Sequence, residues 1–281
     1  MANFGIFKGF SDKLFEGELP TNLGSIGGII FAYDADALAF FDRVTTAGGS
    51  LSTLEKYAVN QLVLDLKGYS IWSKMKAIYP MVGASAAACS QNLKSSSFTG
   101  TFTSGWTFAS TGVTPNGTSA YFNTGFNPNA NGILNNQHYS VYSRTNISNV
   151  GCDIGGYINP VESSMYLRYG VSNSVYTCVN SSLTSAATIN ANSAAFFMVL
   201  RNNSTSENTF RNSTKYTRTI TSISLINLNI YIGALNNNGT AVAFSTRENA
   251  FSSIGEGLTD TEANNFYTAV QAFQTTLSRQ V

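Results

Sequence analysis

Between Ser95 and Gly255 the chain carries only four carboxylates, Asp153, Glu162, Glu207 and Glu248, and its sole histidine is His138. Cutting a glycosidic bond by acid–base chemistry needs two carboxyl groups facing each other across one cleft at a fixed separation. These four are scattered, with no closely spaced acidic run. They read as surface or ion-pair groups, with Arg144, Arg168, Arg211 and Arg247 as candidate partners. A Ser-His-Asp or Cys-His arrangement would have to be built around His138. No G-x-S-x-G elbow is present, and neither Cys152 nor Cys178 has a base beside it in sequence. His138, where a loop passes into a strand, reads as a hydrogen-bonding group. One histidine with Cys89, Cys152 and Cys178 widely spaced closes no zinc shell and builds no disulfide framework. No cofactor is expected. Calcium stays open through carbonyl oxygens, but Asp153 is the only aspartate in this region, so a site of high charge has no ligands. Gly151-x-x-x-Gly155-Gly156 lacks the Lys-Ser/Thr of a phosphate loop and reads as a bulge or turn.

Sugar binding needs less. Aromatic faces cover the apolar C–H patches of a sugar ring, and amide or guanidinium groups bond its hydroxyls. The candidate set is Tyr121, Asn127, Tyr157, Tyr166, Arg168, Tyr169, Asn236 and Asn237, with Trp106, Tyr176 and Asn129 as further members. Aromatic residues of a β-sandwich more often belong to its core, and Trp106 fits that role best because its run alternates like a buried strand.

Three regions would position these groups. Residues 1–30 carry Phe4, Ile6, Phe7, Phe10, Leu14 and Phe15 in a glycine-broken context, too apolar for a solvated tail and too short to bury themselves. Either an arm packed on its own domain or a plug inserted into another protein fits. Residues 31–92 are expected to form a helical module with a connector. Asp34 caps a first helix through Leu38, Phe41 and Val44; Ser52 and Glu55 form a capping box for a second, with a stripe of Leu54, Tyr57, Ala58, Leu62 and Leu66. A third short helix is expected over Ile71–Tyr79. Residues 93–281 read as an all-β domain, with short aromatic or alternating runs such as Trp106–Ala109, Met165–Tyr169, Val175–Val179 and Phe196–Leu200. Turn signals are Pro115-Asn116-Gly117, Asn131-Gly132 and Asn238-Gly239. Thr259 and Glu262 open a last helix with Ala263, Phe266, Tyr267, Val270, Phe273 and Leu277 on its apolar face.

The 281 residues include 16 Lys+Arg against 15 Asp+Glu, which gives no basic field for a phosphate backbone, so nucleic acid is not an expected partner. Charged residues are only 11%, yet 43% are hydrophobic, which describes a folded protein with an uncharged polar surface rather than a disordered one. No uninterrupted apolar stretch reads as a Sec signal or a membrane span.

Two resemblances add to this. The segment from Pro115 through Tyr121-Phe122-Asn123-Thr124-Gly125 to Phe126 resembles an early hairpin of concanavalin A-like, laminin-G-like sandwiches. Tyr231-Ile232-Gly233-Ala234, Val242-Ala243-Phe244-Ser245 and Ile254 through Leu258-Thr259-Asp260-Thr261-Glu262 are similar to that family's ending, in which two strands lead into a terminal helix. The likeness covers about Leu93–Leu277 and implies a lectin-like jelly-roll sandwich, mainly β. Glycosidases of that fold place their acids close together on one strand, a pattern this chain lacks. The runs Met1–Phe7, Lys13–Pro20 and Leu66-Lys67 through Ile71 to Pro80 resemble virion proteins of phages infecting Bacteroidetes, including the crAss-like group. That resemblance implies a head-fibre or tail appendage located in the virion. Residues 1–30 would dock on other virion proteins, and the outward domain would adhere to host or mucosal glycans. Homo-oligomerisation is expected from apolar stripes left exposed on the Ser52 and Thr259 helices. A non-enzymatic adhesin is thus the leading reading. A glycan depolymerase on the same fold and a decoration protein with no ligand are the alternatives.

Overall fold

The computed structural model describes residues 23–26 and 29–281; the docking candidates Phe4, Ile6, Phe7, Phe10, Leu14 and Phe15 lie outside these residues. In chain order, β1 (Leu23–Ile26) and β2 (Ile29–Ala32) pair antiparallel, followed by α1 (Ala35–Thr46) and α2 (Thr53–Gly68). A 3-10 turn at Trp72–Lys74 leads into β3 (Met75–Tyr79) and the short α3 (Ala86–Cys89). Next come β4 (Thr101–Phe102), β5 (Trp106–Ala109), β6 (Gly112–Pro115), β7 (Phe122–Asn123), α4 (Pro128–Asn131) and β8 (Gln137–Ser143). Then follow β9 (Ile154–Ile158), β10 (Val161–Tyr169), β11 (Ser174–Ser181), β12 (Thr188–Ile189), β13 (Ala195–Arg201), β14 (Ser206–Arg211) and β15 (Thr214–Thr219). The chain closes with β16 (Tyr231–Ile232), β17 (Leu235–Asn237), β18 (Thr240–Val242), β19 (Asn249–Gly255) and α5 (Asp260–Thr276).

Two largely antiparallel sheets form a sandwich. One runs β12-β11-β10-β9-β16-β7-β4, with the β17–β18 hairpin joined to β9; the other runs β15-β14-β13-β8-β19-β6-β5, with β3 also on β19. Residue parity assigns the faces. In β13, Phe197 and Val199 point between the sheets with Val141, Met165 and Val179, whereas Phe196, Met198 and Leu200 point to the opposite side under the helices. A strand buried on both faces carries apolar groups at every position, which explains the unbroken run Phe196–Leu200. Among the described residues there are therefore three layers: helices, a covered sheet, and a second sheet whose far face carries no helix.

The capping signals formed as read. Asp34 accepts the Asp36 N–H at 2.9 Å, and the Ser52/Glu55 and Thr259/Glu262 boxes close in both directions. Phe266, Val270 and Phe273 of α5 pack with Phe251, Phe196 and Tyr142, next to Ala58, Leu62 and Leu66 of α2. Leu54, expected on the buried stripe of α2, is 45% exposed, and Val59 and Val63 are buried on the apolar face with Ala58 and Leu62. Apart from Leu54, the stripes that suggested self-association pack largely within the chain.

The helix expected over Ile71–Tyr79 is instead a turn followed by β3, paired with β19 from Tyr79↔Ser252 to Ala77↔Ile254. Ile78 faces the helices while Ala77 and Tyr79 face the inter-sheet core. A short apolar segment buried on both sides has no period that separates strand from helix. Residues 31–92 therefore contribute a strand to the sandwich and share its core. Asn238-Gly239 makes the β17–β18 turn with φ of 48° and 93°. Asn131-Gly132 does not use positive φ: Gly132, at φ −100°, closes α4 with its N–H on Pro128 O at 2.8 Å.

Candidate functional site

On the open face of the first sheet the register builds a shaped surface. Val161, Met165 and Leu167 of β10 point into the sandwich, so Glu162, Ser164 and Tyr166 point outward. Across β9-β10-β11, Gly155 and Cys178 both stand opposite Ser164, a row of small side chains. One flanking row is Tyr157–Glu162–Ser181; on the other side Tyr166 stands opposite Tyr176. Gly155 has to be glycine here, because a Cβ would lie 2.7 Å from Ser164 Cβ and 2.9 Å from Ser163 O.

Tyr166 lies along this row, its hydroxyl 3.4 Å from Glu162 Oε1. Glu162 also accepts from Ser164 Oγ at 2.5 Å, and burial holds its carboxyl above the ordinary carboxylate range. Tyr169 stands edge-on to both neighbours, 5.7 Å from the Tyr166 ring at 84° and 5.4 Å from the Tyr176 ring at 75°. With Val150, Leu183, Thr184 and Ala243 these tyrosines line a cavity of about 330 Å³, at the small end of ligand pockets. Tyr169 is 38% exposed at its mouth. Among the described residues, neither the Tyr169 nor the Tyr176 hydroxyl has a protein partner.

The wall that carries Leu183 and Thr184 is held from the other sheet. Arg218 of β15 donates through Nη1 to Ser185 O and through Nη2 to Thr177 O and, at 2.6 Å, to Glu207 Oε1. Glu207 is itself buried, accepting from Thr177 Oγ1 at 2.9 Å and Val179 N at 2.7 Å.

Of the eight sequence candidates, Tyr166 and Tyr169 line this pocket, together with Tyr176. Tyr157 shares the face on the far side of the small-residue row, its hydroxyl donating to Asn159 Oδ1 at 3.2 Å. Arg168 donates to Asn173 Oδ1 at 2.6 Å and Asn146 Oδ1 at 2.9 Å, bracing loops beside the pocket. Asn236, 2% exposed, donates to Asn229 O and accepts from Gly239 N, so it shapes the hairpin. Asn237 pairs with Tyr157 at the end of that hairpin. Tyr121 is stacked on Tyr231 with centroids 4.4 Å apart, and Asn127 caps α4 and donates to Asn227; both lie away from the pocket. Leu183 and Thr184 were not legible, since their segment carries neither an aromatic group nor a charge.

The acids and the histidine are engaged elsewhere. Asp153 pairs with Arg247 at 2.8 Å and accepts from Ser245 Oγ and Leu167 N, all buried. Glu248 pairs with Arg144 at 2.9 Å. The Glu207 partners are Arg218 and, at 3.8 Å, Arg201, rather than any of the arginines named from sequence. No carboxylate lines the tyrosine pocket. His138 is fully buried, Nδ1 at 2.6 Å from Glu256 O and Nε2 at 3.0 Å from Ser253 Oγ. The carbonyl requires Nδ1 to donate, so Nε2 accepts from Ser253, and burial lowers its pKa to about 4. This Ser–His contact lies beneath Phe266, 5.8 Å away, closed to any substrate. The three cysteines are buried free thiols, with burial pushing Cys178 up to about 12. Among the described residues no three His, Cys, Asp or Glu gather as a metal site, and no helix is long and apolar enough to cross a membrane.

No protein-family model matches the chain, and no curated protein matches it in sequence. Solved structures do resemble it. A mutant Trypanosoma rangeli sialidase displaying trans-sialidase activity matches at a TM-score of 0.51 and 8% identity, over 76% of this chain and 39% of the sialidase. Domain 4 of a GH43 extracellular arabinanase from Geobacillus stearothermophilus, solved with arabinotriose, gives a TM-score of 0.48 and 13% identity over 69% of this chain and 98% of that domain. The CBM40 domain of a Ruminococcus gnavus sialidase gives 0.34 and 14% over 50% and 91%. The sialidase likeness shows a shared β-sandwich fold.

Proposed function

We propose that this is a non-enzymatic virion appendage protein, a head fibre or tail component, whose sandwich binds host-surface or mucosal glycans in the tyrosine pocket. The observation that carries the sugar-binding reading is the grouping of Tyr166, Tyr169 and Tyr176 on a sheet face that no helix covers among the described residues. Tyr169 is exposed at the cavity mouth, Tyr176 is half-buried beside it, and among the described residues the hydroxyls of these two have no protein partner. Binding without turnover is supported by the absence of any carboxylate from the lining. The virion setting is supported by the sequence resemblance of Met1–Phe7, Lys13–Pro20 and Ile71–Pro80, with other virion proteins as partners of residues 1–30. Self-association is a separate part of this proposal, not supported by the Ser52 and Thr259 helix stripes, which pack largely within the chain; light scattering after size exclusion tests it, and a monomer at micromolar concentration removes it.

The direct test is the full chain on a glycan array, with each hit incubated and analysed by mass spectrometry. Binding with the glycan intact supports an adhesin. Cleavage overturns the non-enzymatic part in favour of a depolymerase, and silence on every glycan leaves a decoration protein without a ligand.

A further inference from the structure

We infer that the tyrosine pocket is built for an uncharged sugar and discriminates against sugars that carry a carboxylate, with Glu162 as the residue that sets this preference. The inference rests on the sugar-binding reading and names its ligand class. The lining of Val150, Tyr166, Tyr169, Tyr176, Leu183, Thr184 and Ala243 contains no Lys, Arg or His. Its polar groups are the Tyr169 and Tyr176 phenols and the Thr184 hydroxyl. These neutral donor–acceptor groups match sugar hydroxyls, while the rings and Leu183 match a C–H face.

A carboxylate entering this space would lose water without gaining a cation, a cost that buried anions avoid by pairing. The cation nearest along the strand is Arg168, two residues beyond Tyr166. Its Nε and Nη1 are already directed at Asn173 and Asn146 in the loops beside the pocket. Beside the pocket, on the same sheet face, the electrostatics are adverse as well. Glu162 is 7% exposed and sits on the same sheet face, its Oε1 receiving the Tyr166 hydroxyl. Among the described residues no Lys or Arg pairs with it, although Asp153, Glu207 and Glu248 each have at least one. Tyr166 therefore turns its donor toward Glu162 and away from an incoming anion. Any negative charge on Glu162 acts through a poorly hydrated layer, where it is screened less than at the surface.

The test prints neutral glycans beside their sialylated or glucuronated counterparts and probes them with the full chain, with Tyr176→Ala and Glu162→Gln in parallel. The expected result is binding to neutral glycans, lost with Tyr176→Ala, and at least about tenfold weaker binding where the added acid falls on the recognised unit. Glu162→Gln is expected to keep the neutral hits and narrow that difference. An acidic glycan bound as tightly as its neutral counterpart, or an unchanged difference with Glu162→Gln, overturns the inference while leaving sugar binding intact. No binding to any glycan overturns the sugar-binding reading and this inference with it. Thermal melting of both variants separates loss of the site from loss of the fold.

Discussion

The rings of Tyr169 and Tyr176 lie 5.4 Å apart at 75°, one at the end of β10 and the other early in β11, across the short connection Gly170–Asn173. Edge-to-face contact holds two aromatic groups at a defined angle without covering both of their faces. Nothing from the helical layer reaches them, so this pair remains at the surface of an otherwise closely packed sandwich.

Arg218 ties that site to the opposite sheet. Truncation by Arg218→Ala leaves buried Glu207, among the described residues, with Arg201 alone as a cation, at 3.8 Å, and frees Ser185 from its tether. The expected cost is about 3 kcal/mol of stability, the scale for breaking a buried ion pair from one side. Chemical denaturation measures it. A second readout is hydrogen exchange at residues 182–186, which should accelerate; unchanged exchange would show that the wall does not depend on Arg218.

The other ion pairs should separate by burial. Arg247→Ala strands Asp153, whose side chain is 4% exposed, and is expected to cost about 3 kcal/mol or more. Arg144 and Glu248, at 20% and 18%, form a more solvated pair, and Glu248→Gln should cost under about 1 kcal/mol. Equal losses in urea melts would contradict this ordering.

His138 makes stability depend on pH. Its pKa falls from an ordinary 6.5 to about 4 on folding, so between those values the unfolded chain binds more protons than the folded one. Stability from this group is complete above about pH 6.5 and is lost progressively as pH falls to and below about 4, by about 3 kcal/mol in total. Melting curves from pH 4.5 to 7.5 should show this slope in the natural protein and a flatter one in His138→Gln. Parallel slopes would mean that His138 does not titrate on unfolding.

Much of the fold was legible because it follows local rules. The Ser52/Glu55 and Thr259/Glu262 boxes, the Asn238-Gly239 turn and the alternating runs are each set by a few neighbouring residues. Strand β3 was hidden because Met75–Tyr79 is buried on both faces by partners far along the chain. β14 and β15 were hidden because polar residues such as Asn208, Lys215 and Thr217 make a poor strand signal. Tyr166 and Tyr169 could be named from residue type. Their meeting with Tyr176 depended on the β10–β11 register, and Tyr121 and Asn127, similar in type, were carried elsewhere by β7 and α4. The Arg218 brace was invisible because it crosses from one sheet to the other.

The most direct test of the central claim is calorimetric titration of the best array glycan into the full chain and into Tyr169→Ala and Tyr176→Ala. Each substitution is expected to weaken binding by about tenfold or more, equivalent to about 1.4 kcal/mol, while the far-ultraviolet spectrum and melting temperature stay near those of the natural protein. Undiminished affinity in both variants would place the sugar elsewhere and contradict the account.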